Sequence, residues 1–355
     1  ASCMSSYGRM TFLHDTSRSF VSVELDGTVT VRCGVQDLGG GQASSLAQIA
    51  AEALGVPMED VTVFHGDSAL TPLAGTTTAT RQLYMSGNAT LKAAATVRRN
   101  LLEKAGRMLG MDPAYLDIKD RQVFIQPERK PWMVVENDSR ECTISYGGDR
   151  GDIIISEVCG NNDPDTSIPL TDVIKAAAAD GVELLCVAQF NAPARELLDF
   201  KTGQGQVFPD FTFGTIAMEV AVDIDTGDVD VLKIVSCFDV GQTINPLSVE
   251  GQMEGGAVYG LGYGLCEEVI LDKGITLTPS LAEYLIPTSK DVPQVETIMI
   301  QSGGGIGPFG AKGIGEPANV PPPPALANAV CEAIGTRIYD LPITPEKILK
   351  ALKAI

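Results

Sequence analysis

Gly307-Pro308-Phe309-Gly310-Ala311-Lys312-Gly313-Ile314-Gly315-Glu316-Pro317 sets one carboxylate among glycines and apolar residues. With so little side-chain bulk, the backbone of this stretch can approach a large ligand closely. Glu316 can then project into a partly desolvated cleft, where a carboxylate becomes a better base. A base poised in this way takes a proton near neutral pH. Taken alone, the stretch fits a solvated loop glutamate better, so its meaning depends on what accompanies it. Three glycine- and amide-rich stretches precede it: Asp37-Leu38-Gly39-Gly40-Gly41-Gln42, Asp239-Val240-Gly241-Gln242 followed by Asn245-Pro246, and Glu250-Gly251-Gln252-Met253-Glu254-Gly255-Gly256.

Composition removes several classes of function. With 355 residues, 44% of them hydrophobic, the chain can bury a large core, and its length suggests two domains or two lobes of one. Acids outnumber bases 45 to 26, for a formal charge of −19, which argues against nucleic acid as a partner. No apolar run is long enough to span a bilayer and no charged-then-apolar leader opens the chain, so the expected setting is cytoplasmic, without membrane insertion. The eight cysteines are scattered without a CxxC pair and read as buried free thiols, although Cys142 and Cys159 flank a Gly/Asp-rich stretch and could approach each other. With only His14 and His65 present, a histidine metal site or a Ser-His-Asp triad has almost no raw material, and no metal ligand is expected from protein side chains.

Local patterning gives an α+β reading with two lobes of mixed β-sheet packed with helices. Phe20 to Leu25 and Thr28 to Arg32 alternate around Asp26-Gly27, a hairpin signature. Ser44 or Ser45 can cap a helix that presents Leu46, Ile49, Ala50, Ala53 and Leu54 on one face and stops at Gly55. Val61 to Phe64 reads as a strand, and Met85 to Leu109 as a long helix burying Leu91, Ala94, Val97, Leu101, Ala105 and Met108. Residues 128–165 turn polar and Gly/Asp-rich, an insertion in a first lobe spanning 1–165. In the second lobe, 166–355, a helix over Leu170 to Ala179 leads to a hairpin of Thr215 to Ile224 with Val229 to Phe238. Asn245-Pro246 then starts a helix to Leu265 holding glycines at 251, 255, 256, 260, 262 and 264. Each costs about 1 kcal/mol relative to alanine, so either tight packing or close approach of a ligand must compensate.

Two loops invite a ligand reading. Gly39-Gly40-Gly41 before a helix could bind an anion at free N–H groups, yet no Lys-Ser/Thr follows as in a P-loop, and Ala43-Ser44 breaks the dinucleotide spacing. A structural turn is the plain alternative. Thr76-Thr77-Thr78-Ala79-Thr80-Arg81-Gln82 is too rich in hydroxyls for a buried strand and reads as a solvated loop unless it faces a polar ligand.

In their order along the chain, these motifs resemble the xanthine dehydrogenase/aldehyde oxidase family of molybdenum hydroxylases, in the C-terminal half of the molybdopterin-binding subunit. The extent and the 307–317 segment also resemble the medium molybdopterin subunit of nicotinate dehydrogenase, where that subunit is naturally split. The resemblance implies molybdopterin, with a cytosine dinucleotide form as one alternative, carrying oxo/sulfido or selenido molybdenum. It implies Glu316 as the catalytic base, and Gly39, Gly40, Gly41, Gln42, Thr78, Ala79, Thr80, Arg81, Gln252, Lys312, Gly313 and Gly315 as cofactor contacts. Family members usually carry Gln where this chain has Gly40, which makes Gln42 the candidate replacement. Arg9, Met10, Thr11 and His14 fall on the stretch that lines the substrate pocket, without the aromatic residues of purine-hydroxylating relatives. The implied reaction is hydroxylation of an electron-poor carbon with oxygen from water, on an N-heterocycle such as nicotinate or a purine. An aldehyde oxidoreductase and a non-catalytic assembly subunit stay open as alternatives. Electrons would leave through [2Fe-2S] and FAD on partner chains, and the N-terminal half of the molybdopterin subunit would be a further partner or a lost fragment.

Overall fold

The computed structural model describes residues 1–9, 15–126, 133–135, 144–146, 167–193 and 198–353. Met10, Thr11, His14, Cys142, Cys159 and most of the expected insertion lie outside them. The chain divides into two compact units, one of Gly8–Pro209 and one of Ala1–Tyr7 with Asp210–Ile355.

After β1 (Ser2–Tyr7), the first unit runs β2 (Thr16–Val23), β3 (Val29–Cys33), α1 (Gln42–Leu54), β4 (Val61–His65), a π-helical turn at Leu83–Gly87 and α2 (Asn88–Leu109). It continues with β5 (Leu116–Lys119), β6 (Gln122–Ile125), β7 (Met133–Val135), β8 (Ile144–Tyr146), β9 (Ser167–Pro169), α3 (Leu170–Ala179) and β10 (Leu185–Asn191). Its main sheet has the order β10-β2-β3-β4, with β3 and β4 parallel and the other pairs antiparallel. Val21, Val23, Val29 and Val31 are buried at alternate positions, as the period of two requires, together with Leu46, Ile49 and Leu54 of α1 and Leu91, Ala94, Val97 and Leu101 of α2. Each such valine, leucine or isoleucine contributes about 1.5–3 kcal/mol by leaving water.

The second unit adds β11 (Asp210–Val222), β12 (Val229–Asp239), α4 (Pro246–Leu265), the small hairpin β13 (Leu271–Asp272) and β14 (Ile275–Thr276), β15 (Val295–Ile300), α5 (Pro322–Ile334) and α6 (Pro345–Lys353). Its sheet has the order β1-β11-β12-β15, antiparallel except for the parallel β12–β15 pair. Ile216, Ile234 and Phe238 from the sheet share a core with Met253, Ala257 and Leu261 of α4 and Leu326 and Val330 of α5.

Several expectations change. The division expected at 165/166 falls inside the first unit, because β9 pairs with β6 and β10 with β2. The opening strand belongs to the other unit, because Ser2 to Tyr7 pairs with Thr215 to Asp210 of β11. Helix α1 begins after Gly41 in the left-handed conformation (φ 70°), and Ser44 Oγ bonds back to the Gly41 carbonyl at 2.9 Å instead of capping. Met85 sits in the π-helical turn, and Met108, in the last turn of α2, is 43% exposed.

Candidate functional site

In the second unit the Glu316 segment is held by a lattice of backbone contacts. Lys312 N–H donates to the Val240 carbonyl at 2.9 Å, Gln242 N–H to Gly310 at 3.0 Å, and Gly305 and Gly307 N–H to Gly310 and Ala311, each at 3.0 Å. The Thr212 hydroxyl, fully buried, donates to the Gly313 carbonyl at 2.6 Å. A side chain at Gly307 would begin 2.5 Å from the Ala311 carbonyl oxygen, and one at Gly310 2.5 Å from that of Gly303. These two glycines therefore admit neighbouring backbone of their own unit, a different use from the ligand approach expected of them. The Tyr7 hydroxyl donates to Asp210 and accepts from Ile306 N–H at 3.2 Å, tying β1 to the same lattice.

Lys312 is expected to touch a cofactor, but the structure gives it a different partner. Its Nζ donates to Asp239 Oδ2 at 2.9 Å and lies 5.6 Å from the Phe213 ring centroid, with the lysine side chain 8% exposed. Asp239 Oδ1 also accepts from the Ser302 hydroxyl at 2.7 Å and from Gly241 N–H at 3.1 Å. Burial pushes the Asp239 carboxyl up, but the hydrogen bonds from Lys312, Ser302 and Gly241 outweigh it and hold the group below the ordinary carboxylate range. The Lys312–Asp239 pair thus joins the end of β12 to the 302 and 312 loops, and Lys312 braces the Glu316 segment.

Beyond that brace, Gly313 is buried, whereas Gly315 and Glu316 are exposed, so Glu316 does not occupy a desolvated cleft within this chain. A short turn follows at Pro317–Asn319, on which α4 packs, with a side chain at Gly256 beginning 2.5 Å from Ala318 Cβ. Gln252, one helical turn before Gly256 on the same face, is half-buried. The fold therefore brings Gln252, Lys312, Gly313, Gly315 and Glu316 into one neighbourhood of the second unit.

The other expected contacts lie in the first unit and are joined to each other there. Asp37 Oδ1 accepts from Gly39 and Gly41 N–H at 2.9 and 3.2 Å, an Asx turn that shapes the glycine run. The Gln42 side chain folds back over Gly40, where an added side chain would begin 2.7 Å from Gln42 Nε2. Gln42 thus occupies the place of a longer residue at 40. Its Oε1 is buried with no hydrogen-bond partner among the described residues, and such an orphaned acceptor fits a donor on a bound ligand. The Thr77 hydroxyl donates to the Gln36 carbonyl at 2.8 Å and accepts from Gln82 Nε2 at 3.1 Å, linking the two loops. Ala79 and Thr80 both adopt left-handed backbone, with φ of 50° and 52°.

Arg81 is also corrected. It is fully buried, and its guanidinium bonds Asp15 through both Nε and Nη2 at 2.6 Å and three backbone carbonyls besides, leaving no donor for a ligand. Arg9 is half-buried. Asp15, Asp239, Thr212 and Gln82 carry structural weight that the sequence reading did not assign. Asp239, like Asp37, stands two residues before a glycine and so had a local signal, which Asp15, Thr212 and Gln82 lacked. Among the described residues no group of three or more His, Cys, Asp or Glu could hold a metal ion, and no helix is long and apolar enough to cross a membrane.

Comparison with known proteins adds an independent line. A family model for the molybdopterin cofactor-binding domain matches residues 2–293. The large subunit of nicotine 6-hydroxylase from Paenarthrobacter nicotinovorans is 30% identical, over 99% of this chain and 38% of that protein. The xanthine dehydrogenase molybdenum-binding subunit of Escherichia coli O157:H7 is 29% identical, over 91% of this chain and 37% of that protein. Quinoline 2-oxidoreductase from Pseudomonas putida 86 superposes with a TM-score of 0.78 at 26% identity, covering 99% of this chain and 41% of that chain. The chain spans less than half the length of each.

Proposed function

This chain belongs to the molybdopterin cofactor-binding domain family, and on that premise we propose that it forms part of a molybdenum hydroxylase acting on an electron-poor carbon of an N-heterocycle. The observation that carries this reading is the exposed Glu316 carboxylate at the end of a segment whose neighbouring backbone is fixed at 310, 312 and 313. A base must be presented to its reactant while its own position stays fixed, since misplacement by 1 Å can cost about 10²-fold in rate. Glu316 meets both conditions.

In the first unit Gly39 to Gln42 and Thr78 to Thr80 would contact molybdopterin, with the orphaned Gln42 Oε1 accepting one of its N–H groups, and in the second unit Gln252 is the candidate contact. When bound, the cofactor supplies the electron sink and polarises the oxygen that is transferred. The protein's own contribution is Glu316, whose carboxylate takes the proton from the water-derived nucleophile as it attacks the substrate carbon. Arg81 and Lys312 do not contact the cofactor in this scheme: Arg81 holds the loop before Thr78, and Lys312 braces the Glu316 segment. The N-heterocycle assignment is supported by the names of two relatives, nicotine 6-hydroxylase and quinoline 2-oxidoreductase. An N-terminal partner chain, a [2Fe-2S] chain and an FAD chain would complete the enzyme, and Arg9 would belong to the lining of the substrate pocket.

The test is Glu316→Gln in the assembled complex, assayed on nicotinate, quinoline and aldehyde substrates with molybdenum measured in parallel. Turnover should fall by at least about 10²-fold with metal content near wild type. Unchanged turnover would remove Glu316 from catalysis. A complex without molybdenum would make the chain an assembly subunit.

A further inference from the structure

Arg81 and Asp15 sit behind the 74–80 loop of the first unit in an arrangement that a cofactor contact would not need. The two side chains are buried, 0% and 4% exposed, and meet in a bidentate pair through one guanidinium edge, Nε to Oδ2 and Nη2 to Oδ1, each at 2.6 Å. The remaining donors reach backbone. Nη1 bonds the carbonyls of Ala74 at 3.2 Å and Thr76 at 2.7 Å, and Nη2 bonds that of Thr16 at 3.3 Å. The next residue fills the gap between them, because Gln82 Nε2 bonds the Gly75 carbonyl at 3.2 Å. Three successive carbonyls, 74 to 76, are thereby tied by the side chains at 81 and 82.

The path beyond them is costly. Ala79 and Thr80 both lie in the left-handed region, which residues with a Cβ hold only where the surroundings over-determine them. Gly75, itself at φ 76°, lies so close under the guanidinium that a side chain there would begin 3.0 Å from Nη2. Replacing the planar fork by a lysine ammonium would supply at most three donors from one point and could not span Asp15 and the 74–76 carbonyls together.

We propose that Arg81 and Asp15 are a positioning pair: the ion pair anchors the guanidinium, and the guanidinium sets the backbone path of Ala74 to Thr80. This rests on the reading above in one respect only, that the loop faces the cofactor. The pair acts through the loop and touches neither cofactor nor substrate. Asp15, which belongs to no part of the loop, should then control the loop's geometry as strongly as Arg81 does.

The experiment compares Arg81→Lys and Asp15→Asn in the assembled complex by hydrogen exchange, molybdenum content and steady-state kinetics. Exchange in peptides covering 73–82 should rise at least about ten-fold in both variants, while the core of α2 stays protected. Turnover per bound molybdenum should fall by about 10- to 10²-fold with KM little changed, and added guanidinium should partly restore Arg81→Ala. A ligand role for Arg81 would show instead as cofactor loss in Arg81→Lys with Asp15→Asn unaffected, and would overturn the proposal. Exchange rising equally through α1, α2 and the sheet, or failure of both variants to fold, would mark the pair as general scaffold and overturn it too. If the wild-type complex proves free of molybdopterin, the functional reading fails, yet the exchange comparison still decides whether the pair sets the loop.

Discussion

Gly255 and Gly256 are neighbours on α4 with opposite surroundings, and alanine at each tests how the Glu316 segment is held. Among the described residues a side chain at Gly255 meets nothing within 4 Å, whereas one at Gly256 begins 2.5 Å from Ala318 Cβ, 2.7 Å from its carbonyl carbon and 2.9 Å from its oxygen. Both substitutions gain about 0.8–1 kcal/mol of helix propensity. At 255 that gain stands alone, and the helix should become more stable by about that amount. At 256 the obstacle is backbone of a turn pinned by Asn319 N–H on Glu316 and Val320 N–H on Pro317, each at 3.2 Å, so no side chain can rotate away. Overpacking of this kind costs about 1–3 kcal/mol. Because the propensity gain is common to both, the difference between the variants is the overpacking cost alone. A chain of two units has no single unfolding free energy, so the assay is hydrogen exchange along α4. Exchange should be about 5- to 150-fold faster in Gly256→Ala than in Gly255→Ala. In the assembled enzyme Gly256→Ala should also lower turnover, since Ala318 lies two residues past Glu316. Equal protection in the two variants would refute the packing of α4 on the 317–319 turn as the support of Glu316.

Acid should loosen the 239–242 and 310–312 loops together. The depressed Asp239 carboxyl contributes stability that is complete above the usual carboxylate value of about 4 and is lost as pH falls through its lower folded value, so protection there, taken relative to the intrinsic exchange rate at each pH, should be flat from neutral pH down to about 5 and fall only in stronger acid. Lys312→Met removes a major hydrogen bond to that carboxylate and should move this loss to higher pH; an unchanged acid profile would show that Lys312 does not brace the loop. Leu247, Tyr259 and Tyr263 are 78%, 64% and 56% exposed on α4, on one stripe with Gly251 and Gly255, where an added side chain would meet nothing within 4 Å among the described residues. Hydrogen exchange on this stripe and on 313–317 should slow when the chain joins its partners, and exchange unaltered by assembly would contradict a site completed by another chain.

Features that depend on a few consecutive residues could be read from the sequence. Asn245-Pro246 starts α4 because its side-chain oxygen accepts from Ser248 N–H at 3.2 Å and proline loses no hydrogen bond in the first turn. Gly55 and Gly335 end α1 and α5 because both end residues take left-handed backbone, at φ 77° and 73°. The two hairpins announced themselves by alternation around Asp-Gly and Asp-Thr-Gly-Asp turns. The glycines of α4 could be counted but not explained, since only the packed structure separates Gly256 and Gly260, set against Ala318 and Pro322, from Gly251 and Gly255.

Tertiary structure alone decided which charges are occupied and which strands belong together. The family resemblance implies Arg81 and Lys312 as ligand contacts. Their partners, Asp15 and Asp239, lie 66 and 73 residues away, and only folding brings them within 2.6 and 2.9 Å. In the same way β1 pairs with β11 across some two hundred residues, as in Ser2 with Thr215, so the boundary between units could not follow chain order. The sequence by itself determined where helices start and stop and that Glu316 stands among small residues, because those are local backbone preferences. Which polar groups remain for a ligand was decided by tertiary structure, because satisfying buried donors and acceptors is a property of the whole packed unit.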